Sequence, residues 1–463
     1  MPLMTCLRAL SGCLLVALLL CGGAAFAAPV GEVLYVQGAA AAQSPVSGTR
    51  ILAAGSALEE GDTISTADAS FAIIELADGT RTTLRPNTTF KVEKFSAELG
   101  SALMRLLKGG LRTVTGAIAK RNPNSYRIET LTATIGVRGT SFDARICADD
   151  CAREIRNPPR AVNSPVAARV VSATATLAAT APGQQTRTLE IGAPIYAGDV
   201  LETSASGYAV IAFRDEGRIT LNAGARMEVR SFKYSANQAQ DSSIALKLVK
   251  GAVRILTGLI AKRNPDSFRL ETRTATIGIR GTGFDVVCDG ACADPANPVT
   301  ASAMPGDGLY VHVWQSQISV TAAGGTLMLN EGDSGVLTND ADTAVILSQV
   351  PSFLIDNPAP RPDTVPVDQE RLFGEKSAGR ASPGLYVGVR EGHVQLALGD
   401  QLLDLGGGEY GHAGDNGSLS RLQEVPEFLE RDPTPLPEQF DSARRRLLDA
   451  VPDECVVRWP SAQ

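Results

Sequence analysis

The residues with chemistry to offer are few: two C-x-x-x-C pairs, three histidines, one Gly-Asp-Ser-Gly stretch and two Lys-Arg turns. Cys147 with Cys151, and Cys288 with Cys292, read as two disulfides. Each pair closes a small loop if the chain turns back far enough to bring the Cα atoms to roughly 4.4–6.8 Å. A metal centre would need four ligands, with histidines nearby, and His312, His393 and His412 lie near neither pair. Cys455 is left without a partner. Ser334, within Gly332-Asp333-Ser334-Gly335, would be a hydrolytic nucleophile only with a histidine base and an orienting aspartate, and no histidine stands in such a context. Lys120-Arg121 and Lys262-Arg263 each precede Asn-Pro. They read first as solvated turns and second as contacts for an acidic partner. No glycine loop opens a helix to cradle phosphate. The sequence therefore predicts no enzyme, no cofactor and no metal.

The N-terminus sets the compartment. Arg8 supplies a positive charge, Ala9 to Leu20 is apolar, and Ala25-Phe26-Ala27 fits a small-x-small cleavage site before Ala28. This predicts a signal peptide over 1–27 and a periplasmic or secreted protein. Lipid anchoring through Cys21 is the weaker alternative, since Leu20 precedes it. The apolar run is shorter than the ~20 residues of a bilayer span, so no integral segment is expected in the mature chain. The oxidising compartment agrees with paired cysteines. A net charge of −7 argues against a nucleic-acid partner, which calls for a basic face.

An internal repeat positions all of these residues. GAIAKRNPNSYRIETLTATIGVRGTSFD (116–143) and GLIAKRNPDSFRLETRTATIGIRGTGFD (258–285) are identical at 21 of 28 positions. Upstream, Gly61-Asp62 matches Gly198-Asp199, and Asp78-Gly79 falls with Asp215. The offset there is five residues smaller, which places an insertion in 231–241. A duplicated domain follows. Gly308 to Val313 also resembles Gly384 to Val389. The organisation expected is a signal peptide (1–27), a first domain (28–155) and a second (166–350). After them come a proline-rich linker (351–382), an additional β-hairpin unit (383–430) and a tail with a short helix from Pro437 to Ala450 (431–463).

Strand signals dominate, so the fold class expected is all-β: tandem sandwich- or roll-like domains of short strands with a short C-terminal helix. One segment carries a parity argument. Ala133, Ile135 and Val137 are apolar at odd positions, and Phe142, Ala144 and Ile146 at even ones. A flat strand would send the two sets to opposite faces. A bulge or a switch between sheets is predicted at Arg138-Gly139-Thr140 and at Arg280-Gly281-Thr282.

The ordered blocks G-x-V at 31–33, G-D-x-I-x-T at 61–66, A-D-G-T at 77–80, K-G-G-L-R at 108–112 and I-G-V-R-G-T-x-F at 135–142 resemble the FecR-type domain. The second copy repeats the pattern. The resemblance implies an exported, all-β domain without catalytic residues. The founding members relay an outer-membrane transport signal to a sigma factor through one transmembrane helix, and this chain departs from them there. The motif residues Gly136, Arg138, Gly139, Thr140 and Phe142, with Gly278, Arg280, Gly281, Thr282 and Phe284, are expected to be structural or partner-binding. Arg138 and Arg280 are expected to pair internally, with Asp143 and Asp285 or with another strand. The function expected is binding, scaffolding or envelope sensing, with an envelope protein or cell-wall polymer as partner. The alternative is a periplasmic regulator that acts in a sigma-factor relay through a membrane partner.

Overall fold

The computed structural model describes residues 29–122, 125–148, 150–158, 160–235, 239–279, 281–293, 308–338, 341–374 and 381–440. Among the described residues strands dominate, and the five α-helices have four or five residues each. The alternation that produces the strands is plain in Ser243–Leu256, where Ile244, Leu246 and Leu248 are buried and the residues between them are half-buried. No described helix is long and apolar enough to cross a membrane.

Each copy is built of two β layers that share their longest strands. In the second copy the first half of Ser243–Leu256 pairs with Arg226–Lys233 in one layer. Its second half pairs with Arg218–Leu221 and Gly283–Asp289 in the other. The first copy makes the same crossing with two strands, Ser101–Lys108 and Gly110–Val114. The I-G-V-R-G-T block is the second crossing. Thr134–Cys147 lies beside Tyr126–Glu129 through its first residues and beside Gly110–Val114 through its last. Register breaks between Arg138 and Ser141. Gly139 and Gly281 take φ of 59° and 71°, a region that side chains with a β-carbon rarely enter. The change of parity read from the sequence is thus a passage between layers, and it keeps Val137 and Phe142 in one core.

The closing strands require a correction. Residues 383–430 were expected to form an additional unit. Instead Gly384–Leu398 returns to the first copy and pairs along the whole of Thr134–Cys147, with Cys147 opposite Gly384 and Thr134 opposite Ala397. Gln401–Gly406 and Tyr410–Gly414 then pair with the two halves of this return strand. In the second copy Gly308–Gln315 and Gln317–Ala322 do the same work against Gly283–Asp289 and Thr276–Ile279. The first core includes Leu385, Val387, Val394, Leu396, Leu403 and Leu405 alongside Val33, Ile74 and Phe142. The second copy, from Val166–Ala173 to Val345–Ile346, is therefore inserted between two strands of the first.

The expected linker is corrected too. Pro351-Ser-Phe-Leu-Ile-Asp-Asn-Pro-Ala-Pro-Arg-Pro362 and Pro426-Glu-Phe-Leu-Glu-Arg-Asp-Pro-Thr-Pro-Leu-Pro437 share a pattern, and they occupy equivalent places. The short helices Ser352–Ile355 and Glu427–Glu430 seat Phe353 and Phe428 edge-on against Tyr310 and Tyr386, at 5.2 and 5.0 Å between centroids. The prolines then cross the sheet as an extended strap. Their free carbonyls accept from Arg254 (Ala359 O, 2.8 Å) and Thr220 (Pro360 O, 2.9 Å) in one copy. In the other they accept from Arg112 (Thr434 O, 2.8 Å) and Thr83 (Pro435 O, 3.0 Å). Proline fits here because the strap accepts hydrogen bonds and needs no N–H of its own. Of the helix expected over 437–450, Pro437–Gln439 is one 3-10 turn. Residues 441–450, like Cys455, the signal segment and Cys21, lie outside the described residues. Both disulfides are formed, with Cα atoms 5.6 Å (Cys147–Cys151) and 5.2 Å (Cys288–Cys292) apart.

Candidate functional site

Most of the repeated motif residues are occupied by the fold itself. Arg112 and Arg254, from the K-G-G-L-R block and its equivalent, grip Asp143 and Asp285 with two hydrogen bonds each. The pairing expected for Asp143 with Arg138 is therefore corrected, because Arg112 sits on the strand directly opposite Asp143. Thr140 and Thr282 exchange hydrogen bonds with Thr115 and Thr257, each backbone N–H donating to the partner hydroxyl at 2.8 Å. Phe142 and Phe284 are fully buried. Asp62 and Asp199 pair with Arg50 and Arg187. Asp78 and Asp215 accept from the first turn of the short helices Ala117–Arg121 and Leu259–Arg263, and so fix the Lys-Arg turns. Gly136 and Gly278 lie opposite Gln395 and Ser319.

The two copies diverge beside the motif aspartate. Asp143 also pairs with Arg390, and Asp285 accepts instead from the indole of Trp314 at 3.0 Å. Trp314 in turn carries the Arg361 guanidinium over its ring, 4.0 Å from the centroid. A β-carbon on Gly283 would stand 2.0 Å from the Trp314 ring, and the first copy has Ser141 in the corresponding place. Gly283→Ser is expected to cost about 1–3 kcal/mol through overpacking, read from urea unfolding. Adding Trp314→Arg, which recreates the first copy's arrangement, should recover most of the loss.

One described motif residue has no task in the fold. The Arg138 side chain makes no hydrogen bond or ion pair among the described residues, and neither does that of Lys120; Arg138 acts on Asp404 and His393 through its charge alone. The crossing brings them together. Lys120 Cγ lies 3.5 Å from the position a Gly139 β-carbon would take, so the lysine runs over the bare glycine beside Arg138. Two features that sequence reading treated separately, the motif arginine and the basic turn, thus share one site. The second copy sets Lys262 over Gly281 in the same way, at 4.0 Å; Arg280 is outside the described residues. Arg121 and Arg263 are exposed on their helices.

Lys120 and Arg138 face a cleft of about 1190 Å³ between the copies. Its far wall is the loop 181–186 and the strand Arg187–Leu189 of the second copy. Tyr196, His393 and Asp404 also line it. Sequence reading did not find this cleft, because its walls are about 50 to 270 residues apart in the chain.

A buried charge cluster fixes the junction. Arg169, fully buried on the first strand of the second copy, pairs with Glu409 of the first copy's closing turn. Arg421 reaches the same carboxylate at 2.7 Å, and Gly406 N–H donates to it at 2.9 Å. Arg169 and Arg421 also donate to Asp404 O at 3.1 and 2.8 Å. Glu409 occupies the turn position held by Asp333 in the second copy, whose carboxylate accepts only from Asn330 among the described residues. One further methylene lets the carboxylate reach across the junction. Burial alone would raise Glu409, but Arg169 and Arg421 outweigh it and hold it at about 2.

Two more groups at the cleft titrate unusually. Burial, then Arg187, Arg138 and Arg169, push His393 down to about 4, so it is neutral at ordinary pH. Burial raises Asp404 to about 6 against the pull of Arg169 and Arg138. The lowered His393 costs stability as pH falls from 6.5 to 4, because the unfolded chain takes up the proton first. The raised Asp404 acts oppositely between 6 and 3.8. The two nearly cancel in the wild-type chain. In His393→Gln the first contribution is gone. Relative to wild type, that variant should gain up to roughly 3 kcal/mol between pH 6.5 and 4, measured by urea unfolding across that range.

The Gly332-Asp333-Ser334-Gly335 stretch is a turn and strand start. His312 Nδ1 lies 3.0 Å from Ser334 Oγ, and Asp285 stands on the next strand opposite His312. The line does not form a charge-relay site: both Asp285 oxygens are held by Arg254 and Trp314, and Ser334 is buried.

Comparison with known proteins bears on these repeated blocks. The family model described as FecR protein matches residues 62–155 and, separately, 199–295. The chain carries two FecR-type domains. Both matched segments stop near a cysteine loop, so the closing strands and proline straps of each FecR-type copy lie beyond them. No curated protein matches the chain. Two crystal structures of a "putative anti-sigma factor" from Parabacteroides distasonis are similar at 12% identity with a TM-score of 0.25. The match covers 34% of this chain and 62% of that one.

Proposed function

We propose that this chain is an exported, non-catalytic binding protein of the cell envelope, and that it holds its partner in the cleft between its FecR-type copies. The observation that carries the reading is Arg138. Nearly every other described motif side chain is engaged in packing, ion pairs or hydrogen bonds within its own copy, while Arg138 and Lys120 line the cleft without a hydrogen-bonded or ion-paired partner. A guanidinium and an ammonium lining one cleft attract an anionic group and can hold it by charge-assisted hydrogen bonds. The N-terminal signal pattern and the two disulfides support a location outside the cytoplasm. Retention of an envelope component on immobilised wild-type chain, lost with Arg138→Gln and Lys120→Gln, is the expected result. Equal retention by the variants would refute the cleft.

The FecR match favours a second reading, in which the chain regulates a sigma factor through a membrane partner. In that case a membrane protein, together with its sigma factor, should co-purify with the chain. Recovery of envelope glycan or soluble envelope protein alone would count against it.

A further inference from the structure

We infer that the ligand of the inter-copy cleft is a carboxylate-bearing glycan, bound as a segment several sugars long. The inference rests on the cleft's being the partner site, and it adds the chemistry of what enters. Size is the first reason. About 1190 Å³ exceeds the roughly 300–1,000 Å³ of ordinary small-molecule pockets, so a single sugar or a metabolite would leave much of it filled with water.

The lining is the second reason. Facing Lys120 and Arg138 are Gln184, Gln185, Thr186 and Thr188, neutral side chains that both donate and accept. The apolar contributions are mostly alanines, prolines and bare glycine backbone, with Leu189 buried and Tyr196 half-buried in the wall. Protein interfaces draw their affinity from large aromatic anchors, so a folded protein partner fits poorly. A hydroxyl-rich chain fits well.

Charge is the third reason. Lys120 and Arg138 hold no hydrogen-bonded anion and so can take one, but exposed Glu190 and Glu391 also border the cleft, as does Asp404, which feels the Arg138 charge. A dense polyanion would meet them at close range, whereas a chain with one carboxylate per sugar can place it on the cations and hydroxyls elsewhere. Asp404 Oδ1, inaccessible to water and without a hydrogen-bond partner, lacks a donor that a sugar hydroxyl could supply after a small side-chain rotation.

The test is titration calorimetry on the full chain with three probes: hexagalacturonate, neutral maltohexaose and hexaglutamate. Hexagalacturonate should bind, with affinity about tenfold or more above either of the others. Arg138→Gln and Lys120→Gln should each weaken it about tenfold, with unchanged near-ultraviolet circular dichroism to show that the fold persists. Hexaglutamate binding as tightly as hexagalacturonate, and still sensitive to Arg138→Gln, would overturn the glycan while leaving the cleft as the partner site. Failure of hexagalacturonate to bind would overturn it as well, and retention of an envelope partner in an Arg138-dependent way would then show that the cleft reading survives alone. Binding indifferent to Arg138→Gln would overturn both.

Discussion

A chain ended after Ser382 should lose its first FecR-type copy and keep its second. The cut removes Leu385, Val387, Val389, Val394, Leu396, Leu403 and Leu405 from the first core. At about 1.5–3 kcal/mol for each large buried side chain, the loss exceeds 10 kcal/mol, which is the whole margin of a typical domain, about 5–15 kcal/mol. It also leaves Thr134–Cys147 with a bare edge along its full length. The second copy keeps every strand and its strap. The tryptophans make this easy to read. Trp314 and Trp459 are the two in the chain, and the cut removes Trp459. Trp314 fluorescence then reports the second copy alone and should unfold cooperatively in urea. Cys147–Cys151, now in an unfolded region, should become readily reducible while Cys288–Cys292 stays protected. Protection of both disulfides would contradict the nested arrangement.

Glu409→Ala is the point substitution expected to do most damage. It leaves Arg169 and Arg421, both buried, facing each other without the carboxylate between them. Breaking a buried pair by removing one partner costs about 3–5 kcal/mol, so the midpoint of thermal unfolding should fall by roughly 3–6 °C in a chain of this size. Glu409→Asp should lie in between. The shorter side chain can still accept from Gly406, as Asp333 accepts from Asn330 in the other copy, but it falls short of Arg169. Replacing Arg169, Glu409 and Arg421 together with methionine should cost less than Glu409→Ala, because of the cluster's cations only the less buried Arg214, 3.8 Å from Glu409, then loses its carboxylate. The wild-type junction should also weaken as pH falls from 4.5 towards 2, since a carboxylate held at about 2 stabilises the fold above its unfolded pKa and loses that contribution on protonation.

The sequence disclosed local chemistry well and long-range connectivity poorly. The parity change around Gly139 exposed the crossing between layers, because alternation is a local property of a strand. The duplicated blocks exposed two copies, and the family model finds the same segments. What escaped was which copy each closing strand joins. Gly384 to Val389 resembles Gly308 to Val313 because both lie against a motif strand, but similarity alone does not say that the partner of the former stands about 240 residues upstream. The straps were missed for another reason. Four prolines within 358–366 suggest a linker on composition, and only the match of Phe353-Leu354 with Phe428-Leu429, at a separation of 75 residues, marks them as part of the repeat. The cleft was beyond reach, since it exists only once the second copy is folded and pinned by Arg169 to Glu409. The pairing of Asp143 was misassigned because Arg138 is nearer in sequence, whereas strand register puts Arg112 directly opposite.

The nested topology can be tested by one cross-link. In the first copy a β-carbon on Gly136 would lie 3.9 Å from Gln395 Cβ, within the 3.5–4.5 Å that a disulfide requires. Ser319 holds the corresponding place opposite Gly278 in the second copy. In a chain carrying Gly136→Cys and Gln395→Cys, mild oxidation followed by proteolysis and mass spectrometry should recover peptides joined between positions 136 and 395. Gly136→Cys with Ser319→Cys should give none. A 136–319 cross-link without a 136–395 one would mean that the first copy is closed by the strands at 308–322, and the insertion of one FecR-type domain into the other would be wrong.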